Sequence, residues 1–523
     1  MKCWSRAIYV LVMLCFLPGI GNSQTPNFSE DIAKILYTSC SGCHRPGGVA
    51  PFKIMSYVDA YNARNLINNA VTSGLMPPWP PDTTYSRFVH ERALTAEEVS
   101  MISDWAANGG PRGDSTLAPP TPVFSTGVLG TPDLVLTMPE YTSKASTKDD
   151  YICVSLPSGL TTDKVIRAIE IIPGNMGIVH HALVFIDTTG TFDTDTGDCI
   201  VPFNSKLATG WVPGAGPSIF PATGSFNMGM TIPAGGNIVL QMHYPLGTSG
   251  KKDSTQVKLY FYPDGTPNIR EVYANSLLQN WSLNIPANTI QNFSALYPST
   301  GTTTEDLTLL SIFPHMHLLG KTIESRAYTP SDTLPLVKIN DWDFDWQGFY
   351  TFRNPVKLPI GSQLYGGAVY DNTIANPHNP NNPPVNVNAG LSTTDEMFLV
   401  YFLYLPYVTG DENLNMDSLL NVAIGRGPGN GKSGATFSIR PNPFNDMSFM
   451  QINLVKEADV VLQVYNLQGQ VVRQLLRKRL ASGDHTMVWN GKDNNGNRSA
   501  NGYYICRLQV DGHVIHQKAL LMR

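Results

Sequence analysis

Apolar positions change their period along this 523-residue chain, and the changes divide it. From Gln24 to about Pro111 they recur at three- and four-residue spacings in "NFSEDIAKILYTS", "YVDAYNARNLINNAV" and "LTAEEVSMISDWAANGG", the pattern of helices with one buried stripe. The last of these opens on Thr95 with Glu98 three places on, a capping box, and stops at Gly109–Gly110. A linker rich in Pro, Gly and Ser follows, and from Asp133 to about Gly425 the helical period is gone. Short β-branched and aromatic runs replace it, among them "IRAIEII", "GIVHHALVFI", "GNIVLQMHY" and "MFLVYFLYL", bounded by Gly, Pro and Asn. A second linker, "GRGPGNGKSGA", leads to "FSIRPNPFND" and a further β-rich stretch ending at Arg523. The pattern predicts a multidomain, mainly β protein with a small all-α domain in front. The loop "DNTIANPHNPNNPPVNVNAGLSTTDE" is long for a compact domain and reads as a lid, a site border or an insertion.

Composition agrees with that division. Hydrophobic residues make up 42% and charged residues 15%, and the 45 Gly and 39 Pro favour β-rich domains joined by tight connections. A net charge of −5 spread over this length, with no basic run, leaves no nucleic-acid surface. At the start, Lys2 and Arg6 precede an apolar run from Ala7 to Leu17, then Pro18 and small residues to Ser23. This is the pattern of a secretory signal peptide over 1–23, too short to span a bilayer, and no later segment is apolar enough to do so. The expectation is export through the periplasm, to the medium or the outer cell surface.

Export sets how the seven cysteines are read. Cys3 and Cys15 leave with the signal. Cys40, Cys43 and His44 in "SCSGCHRPGG" form Cys-x-x-Cys-His, the spacing that attaches a haem through two thioethers and presents a histidine to its iron. Met76, among the prolines of "GLMPPWPPD", is the candidate sixth ligand, since Met/His ligation raises the reduction potential. Residues 24–113 therefore resemble a small cytochrome c domain, with 114–132 as its linker. Of the other three cysteines, Cys153 and Cys199 are the natural disulfide pair in an oxidising compartment, and Cys506 is an inert strand position.

The eleven histidines cluster. His180 and His181 are adjacent, His243 lies in "VLQMHYPLG", and His315 and His317 form His-x-His in "IFPHMHLLGK". Residues two apart on a strand share a face, whereas neighbours oppose, so a joint site at His180 and His181 requires the strand to end, kink or bulge there. Imidazole alone does not choose among zinc, copper, iron and nickel; a thioether favours copper. In order, "VHHALVF", "LQMHYP", "PHMHLLGK" and "TTDEMFLVYFLYL" resemble the copper type II, ascorbate-dependent monooxygenases, the family of the peptidylglycine and dopamine hydroxylating enzymes.

That resemblance implies two packed jelly-roll-like β-sandwiches, over 133–275 and 276–425, and two copper ions. One would be held by His180, His181 and His243, the other by His315, His317 and Met397; Cys153–Cys199 also fits a disulfide of the family. The implied activity is hydroxylation of a C–H bond by O2, with the haem as inlet for electrons from an external donor. The alternative from another class is a haem–copper electron-transfer or copper-binding protein without oxygenase activity. Two departures matter. Peptide-amidating members carry Arg and Asn where this chain has Phe313 and Leu399, and only Tyr401 of their carboxylate grip remains, so a small or hydrophobic, non-carboxylate substrate is expected. A cysteine pair of the family is replaced by Phe398 and an apolar residue of "YGGAVY". Finally, residues 436–523, after the 426–435 linker, form an Ig-like β-sandwich by pattern and resemble the type IX secretion sorting domain of Bacteroidota, which implies that machinery as a partner.

Overall fold

The computed structural model describes residues 25–122, 129–197, 205–222, 226–423, 435–440, 444–466, 470–511 and 513–522, together with 199, 202 and 442. The expected signal peptide and all but the last residue of the 426–435 linker lie outside them.

Three helices form at the front. The first opens with a π-helical turn, Phe28–Ile32, and continues over Ala33–Ser39; the others are Tyr57–Thr72 and Ala96–Ala107. Each start is fixed by a side chain that accepts an otherwise orphaned backbone N–H: Asn27 from Glu30, Ser56 from Asp59, and Thr95 from Glu98 in a complete capping box. Their apolar stripes meet at Ile32, Leu36, Ile102 and Trp105, all fully buried.

Two β-sandwiches follow. In the first, a four-stranded sheet runs in the order Asp150–Pro157, Asn237–Tyr244, His181–Asp187, Lys206–Trp211, all antiparallel. It faces a larger sheet centred on Lys164–Ile172 and Gln256–Phe261. In the second, Tyr273–Gln279, Leu399–Pro406, Leu307–His315 and Tyr350–Leu358 form one sheet. The other is Ile290–Tyr297, Gln363–Asp371, Gly320–Tyr328 and Thr333–Ile339. Alternating side chains fill each interior, around Ile152, Val184 and Leu240 in the first and Leu309, Phe398 and Phe402 in the second. Cys153 and Cys199 are joined by a disulfide. Phe398 packs on Gly366 of "YGGAVY", where an added Cβ would lie 3.1 Å from its ring.

The helical front does not end where its helices do. Residues 79–92 lie along the second sandwich: Asp82 and Val89 donate backbone hydrogen bonds to Lys338 and Thr351, both at 2.8 Å, and Phe88 is fully buried in that sandwich's core. A helix absent from the sequence expectation, Met416–Ala423, closes the second sandwich. Asn415 caps it by accepting from Ser418 N at 2.8 Å. Eight residues are too few for helical periodicity to stand out from neighbouring strand patterns. The Asn/Pro-rich loop is pinned by its own amides: buried Asn372 donates to Ile285 O at 3.0 Å and Val385 O at 2.7 Å, and Asn379 donates to Asn372 at 3.0 Å.

The last region is a sandwich of three strands (Ala435–Arg440, Ser448–Leu454, Gly483–Trp489) against four (Ala458–Tyr465, Val471–Leu480, Gly502–Val510, His513–Leu521). Trp489 and Cys506 are fully buried within it, and burial pushes the Cys506 thiol up to about 12.

Candidate metal centre

His180, His181 and His243 converge. The strand begins at His181, and His180 stands just ahead of it, its N–H donating to His243 O at 3.0 Å. The strand therefore ends between the two histidines, as a shared site demands. His181 and His243 are direct partners across the ladder. The Nδ1 atoms of the three lie 3.0 to 3.4 Å apart.

Two carboxylates fix which nitrogen faces inward. His243 Nε2 is 2.9 Å from Asp149 Oδ2 and His180 Nε2 is 3.1 Å from Asp345 Oδ1. An Nε2–H donated to a carboxylate leaves the Nδ1 lone pair pointing at the other rings. Burial is the largest influence on His181 and His243; it pushes His243 down to about 4 despite Asp149, and His181 well below the usual range. Imidazole nitrogens turned towards one point at these distances are held together by a cation between them, so the donor set fits a metal ion. Tyr151 stacks on His243 with ring centres 4.2 Å apart, and it lines the cavity described below.

The second group uses the opposite nitrogen. His315 is the last residue of its strand, and His317 lies in the turn after it, so the turn and not strand alternation brings them together. Their rings stand 5.1 Å apart at 88°. His315 Nδ1 meets Gln347 Oε1 at 2.5 Å and His317 Nδ1 meets Asp395 O at 3.1 Å. Both partners are acceptors, so both Nε2 lone pairs are free for a ligand. Burial pushes these imidazoles down to about 4 and about 3. Glu396, fully buried, ties the turn to the methionine: it accepts backbone N–H groups from His317 at 2.9 Å, Leu319 at 2.6 Å and Met397 at 3.2 Å. Met397 is 2% exposed, and its carbonyl accepts from Tyr370 at 2.7 Å.

Both groups open on one cavity of about 590 Å³, whose wall includes His181, His315, His317, Met397, Phe313 and Tyr401. Phe344 stands between them, stacked on His180 at 5.8 Å and edge-on to His317 at 6.0 Å. At the places noted above, Phe313 stacks on Phe349 at 4.4 Å and lies 5.9 Å from Tyr401, and Leu399 lines the same wall. The wall is thus aromatic and uncharged there. Elsewhere on the wall buried Gln241 adds a neutral polar group, its Oε1 without a hydrogen-bond partner among the described residues.

The Cys40–His44 turn follows the first helix, with both thiols free. His44 Nδ1 is bonded to Phe52 O at 2.9 Å, which leaves Nε2 available as a donor atom. Met76 is half-buried after the second helix, its N–H donating to Ala70 O at 3.0 Å. His378 is exposed in the pinned loop.

Sequence reasoning missed Asp149, Phe344, Asp345, Gln347 and Glu396. The run "DWDFDWQGFY", dense in acids and aromatics within a loop, was the available signal for three of them.

Among solved structures, the chain is similar to PorZ, a surface component of the type-IX secretion system of Porphyromonas gingivalis (18% identity, 24% of this chain, TM-score 0.14). It is similar also to latent PorU of that organism (14% identity, 70% of this chain, TM-score 0.17). A third is the VP2 subviral particle of infectious bursal disease virus (9% identity, 54% of this chain and 72% of that one, TM-score 0.17). The chain spans 15% of the length of PorZ and 34% of PorU. TM-scores this low bear on neither fold nor function. Residues 446–512 match the FlgD Ig-like domain, in keeping with the last sandwich. Residues 279–417, which carry His315, His317, Met397 and Tyr401, match the C-terminal domain of the copper type II ascorbate-dependent monooxygenases, and so point to copper and to hydroxylase-like chemistry.

Proposed function

We propose that this protein is an exported monooxygenase that places one atom of O2 into a C–H bond of a neutral organic substrate, with two coppers and a covalent haem c. Two electrons and two protons reduce the other oxygen atom to water. Copper held by the two histidine groups would supply dioxygen activation and one-electron storage. The soft Met397 ligand suits the copper that must be reduced and keep a position open, whereas the three-histidine group suits storage alone. Haem held by Cys40, Cys43 and His44, with Met76 as the expected sixth ligand, would receive electrons from an external donor. The seam around that motif fits such a group: Trp79 Nε1 is buried with no partner among the described residues, and Arg92 faces the cavity.

The observation that carries the oxygenase reading over plain electron transfer is the cavity beside Met397. Besides the seam at Trp79 and Arg92, it has an apolar wall of Phe313, Phe349, Leu399 and Tyr401 on the side of Met397; an electron carrier has no use for such a space at its metal, and an oxygenase needs one for substrate. Phe313, Phe349 and Tyr401 would hold an apolar group by stacking, and Phe344 would keep water from the gap between the two histidine groups. The test is turnover of a metabolite extract by copper-loaded protein under isotopically heavy O2. The expected result is a neutral product carrying one heavy oxygen. Dioxygen uptake with no labelled product, or turnover of carboxylate-bearing peptides only, would overturn the reading.

Residues 1–23 are proposed to direct export and the last sandwich to address the chain to type IX secretion, which places the protein outside the cell or on its surface. Among the described residues no helix is long and apolar enough to cross a membrane. Intact mass of the exported protein tests this: loss of residues 1–23 and of the last sandwich is expected, and retention of both contradicts it.

A further inference from the structure

The Cys40–His44 motif touches the first sandwich at Gly214. Residues Val212–Pro217 connect the strand Lys206–Trp211 to the short strand Ser218–Ile219. They begin with a tight turn, closed by Ala215 N donating to Val212 O at 2.9 Å. Pro213 and Gly214 occupy its centre, Gly214 at φ +84°, the arrangement that requires glycine at the third position. Gly214 lies so close to the haem motif that an added Cβ would collide with Cys43 Sγ and stand 3.2 Å from Arg92 Nη1. On either side of this contact, Val49, five residues beyond His44, and Ala215 both pack on the core of the first sandwich. From Gly214 the chain runs back three residues to Trp211. Trp211 pairs across the sheet with Ala182, which adjoins His181.

We propose that the Val212–Ala215 turn is the electron bridge from the haem to the three-histidine copper. The proposal rests on the haem and copper reading above. One electron leaves ferrous haem iron at the Cys43 edge and reduces one cupric ion to cuprous; no bond or proton moves, and an external one-electron donor re-reduces the haem. On haem attachment Cys43 Sγ would become a thioether sulfur one saturated carbon from the macrocycle, so the atom against Gly214 would be covalently joined to the haem. The competing route passes through Trp79, 5.6 Å from Tyr350, towards the His315 strand. It crosses the ring gap from Trp79 to Tyr350, a residue of that sheet, whereas the turn begins at contact with Cys43 and continues along covalent chain to Trp211.

The test uses copper-loaded holoprotein without oxygen. Its haem is reduced by a flash-generated flavin radical and its reoxidation is followed in the visible band. Gly214→Ala should slow reoxidation several-fold with the haem spectrum and copper content unchanged. Gly216→Ala, in the same loop but with nothing within 4 Å of the added carbon, should leave it unaltered. Pro213→Gly, which loosens the turn without adding volume, serves if Gly214→Ala does not accumulate, with the same slowing expected. His243→Ala should abolish the fast phase. Equal rates in the wild type and Gly214 or Pro213 variants, or slowing by Trp79→Leu alone, overturn the bridge. A wild type whose haem reoxidises no faster with copper than without it refutes instead the haem-inlet reading beneath.

Discussion

His180 Nε2 lies 3.1 Å from Asp345 Oδ1, and the two residues belong to different sandwiches. One imidazole of the three-histidine group is therefore oriented by the domain that carries Met397. His243 has its own carboxylate, Asp149, within the first sandwich, and this one is more protected: its side chain is 20% exposed against 72% for Asp345. Carboxylates on the far nitrogen of a metal-bound histidine set its tautomer and typically contribute about 10–100-fold to metal affinity. Asp149→Ala is expected to weaken copper at this site within that range, and Asp345→Ala by less, because solvent already screens it. Competition titration against a chelator of known copper affinity measures both. The reverse order would mean that Asp345 acts through the position of Phe344 and not through His180.

Glu396 has three backbone N–H groups to satisfy and does so from a site with no solvent. Glu396→Ala leaves three buried donors unpaired, at about 1–3 kcal/mol each, and frees the His317 turn from Met397. The protein should then lose copper from the methionine site first. Metal analysis should fall from two coppers per chain towards one, with the electron paramagnetic signal of the three-histidine site retained. Loss of both signals together would show that Glu396 supports the whole fold instead.

The sandwiches are also clamped at their far end. Arg270 donates to both oxygens of Asp411, at 2.7 and 2.8 Å, and Thr308 donates to the same carboxylate at 2.6 Å. Burial alone raises the Asp411 pKa, but the hydrogen bonds from Arg270, Thr308 and Val408 N–H outweigh it and leave the carboxyl below the ordinary range. A group depressed in the folded state stabilises it above its unfolded pKa, and that stability is lost as pH falls through the folded value. Asp411→Asn strands a largely buried guanidinium and should lower stability near pH 7 by about 3–5 kcal/mol. The gap between variant and wild type should close below about pH 4, where the unfolded aspartate begins to protonate. Thermal melts across pH 2–8 check this; a constant gap would assign the loss to packing.

Period and motif carried the gross design because each region repeats its signal. Three helical stripes, the β-branched and aromatic runs of the middle region and the ordered histidine motifs were all legible without coordinates. The local reasons were less so. His315 and His317 looked like a strand pair, but His317 has left the strand, and a carboxylate 79 residues further on holds its turn. Nothing near His317 in the chain announces that. Asp345 was equally hidden, since its partner is 165 residues away and in the other sandwich. Side chains that orient ligands are chosen by the tertiary fold, and they leave no spacing in the sequence to find. The same holds for Phe88, which follows the haem motif in sequence but belongs to another domain's core.

Phe88 decides whether the helical domain is attached or merely tethered. Its ring lies 5.4 Å from both Tyr350 and Phe352 and has no solvent exposure. Lys338 and Thr351, which accept the flanking backbone bonds, are half-buried, so loss of that ring should weaken both bonds. Phe88→Ala removes a fully buried phenyl, a change of about 3–5 kcal/mol, and the loss falls on docking as much as on the sandwich. The helices have their own core around Trp105 and should stay folded. Hydrogen exchange should therefore rise over 79–92 while protection over Tyr57–Thr72 and Ala96–Ala107 is kept. Under the electron-bridge proposal the same variant, with Cys43 drawn away from Gly214, should also slow haem reoxidation. Faster exchange at 79–92 with an unchanged electron rate would place the working contact on the first sandwich alone, independent of how firmly the second one holds the domain.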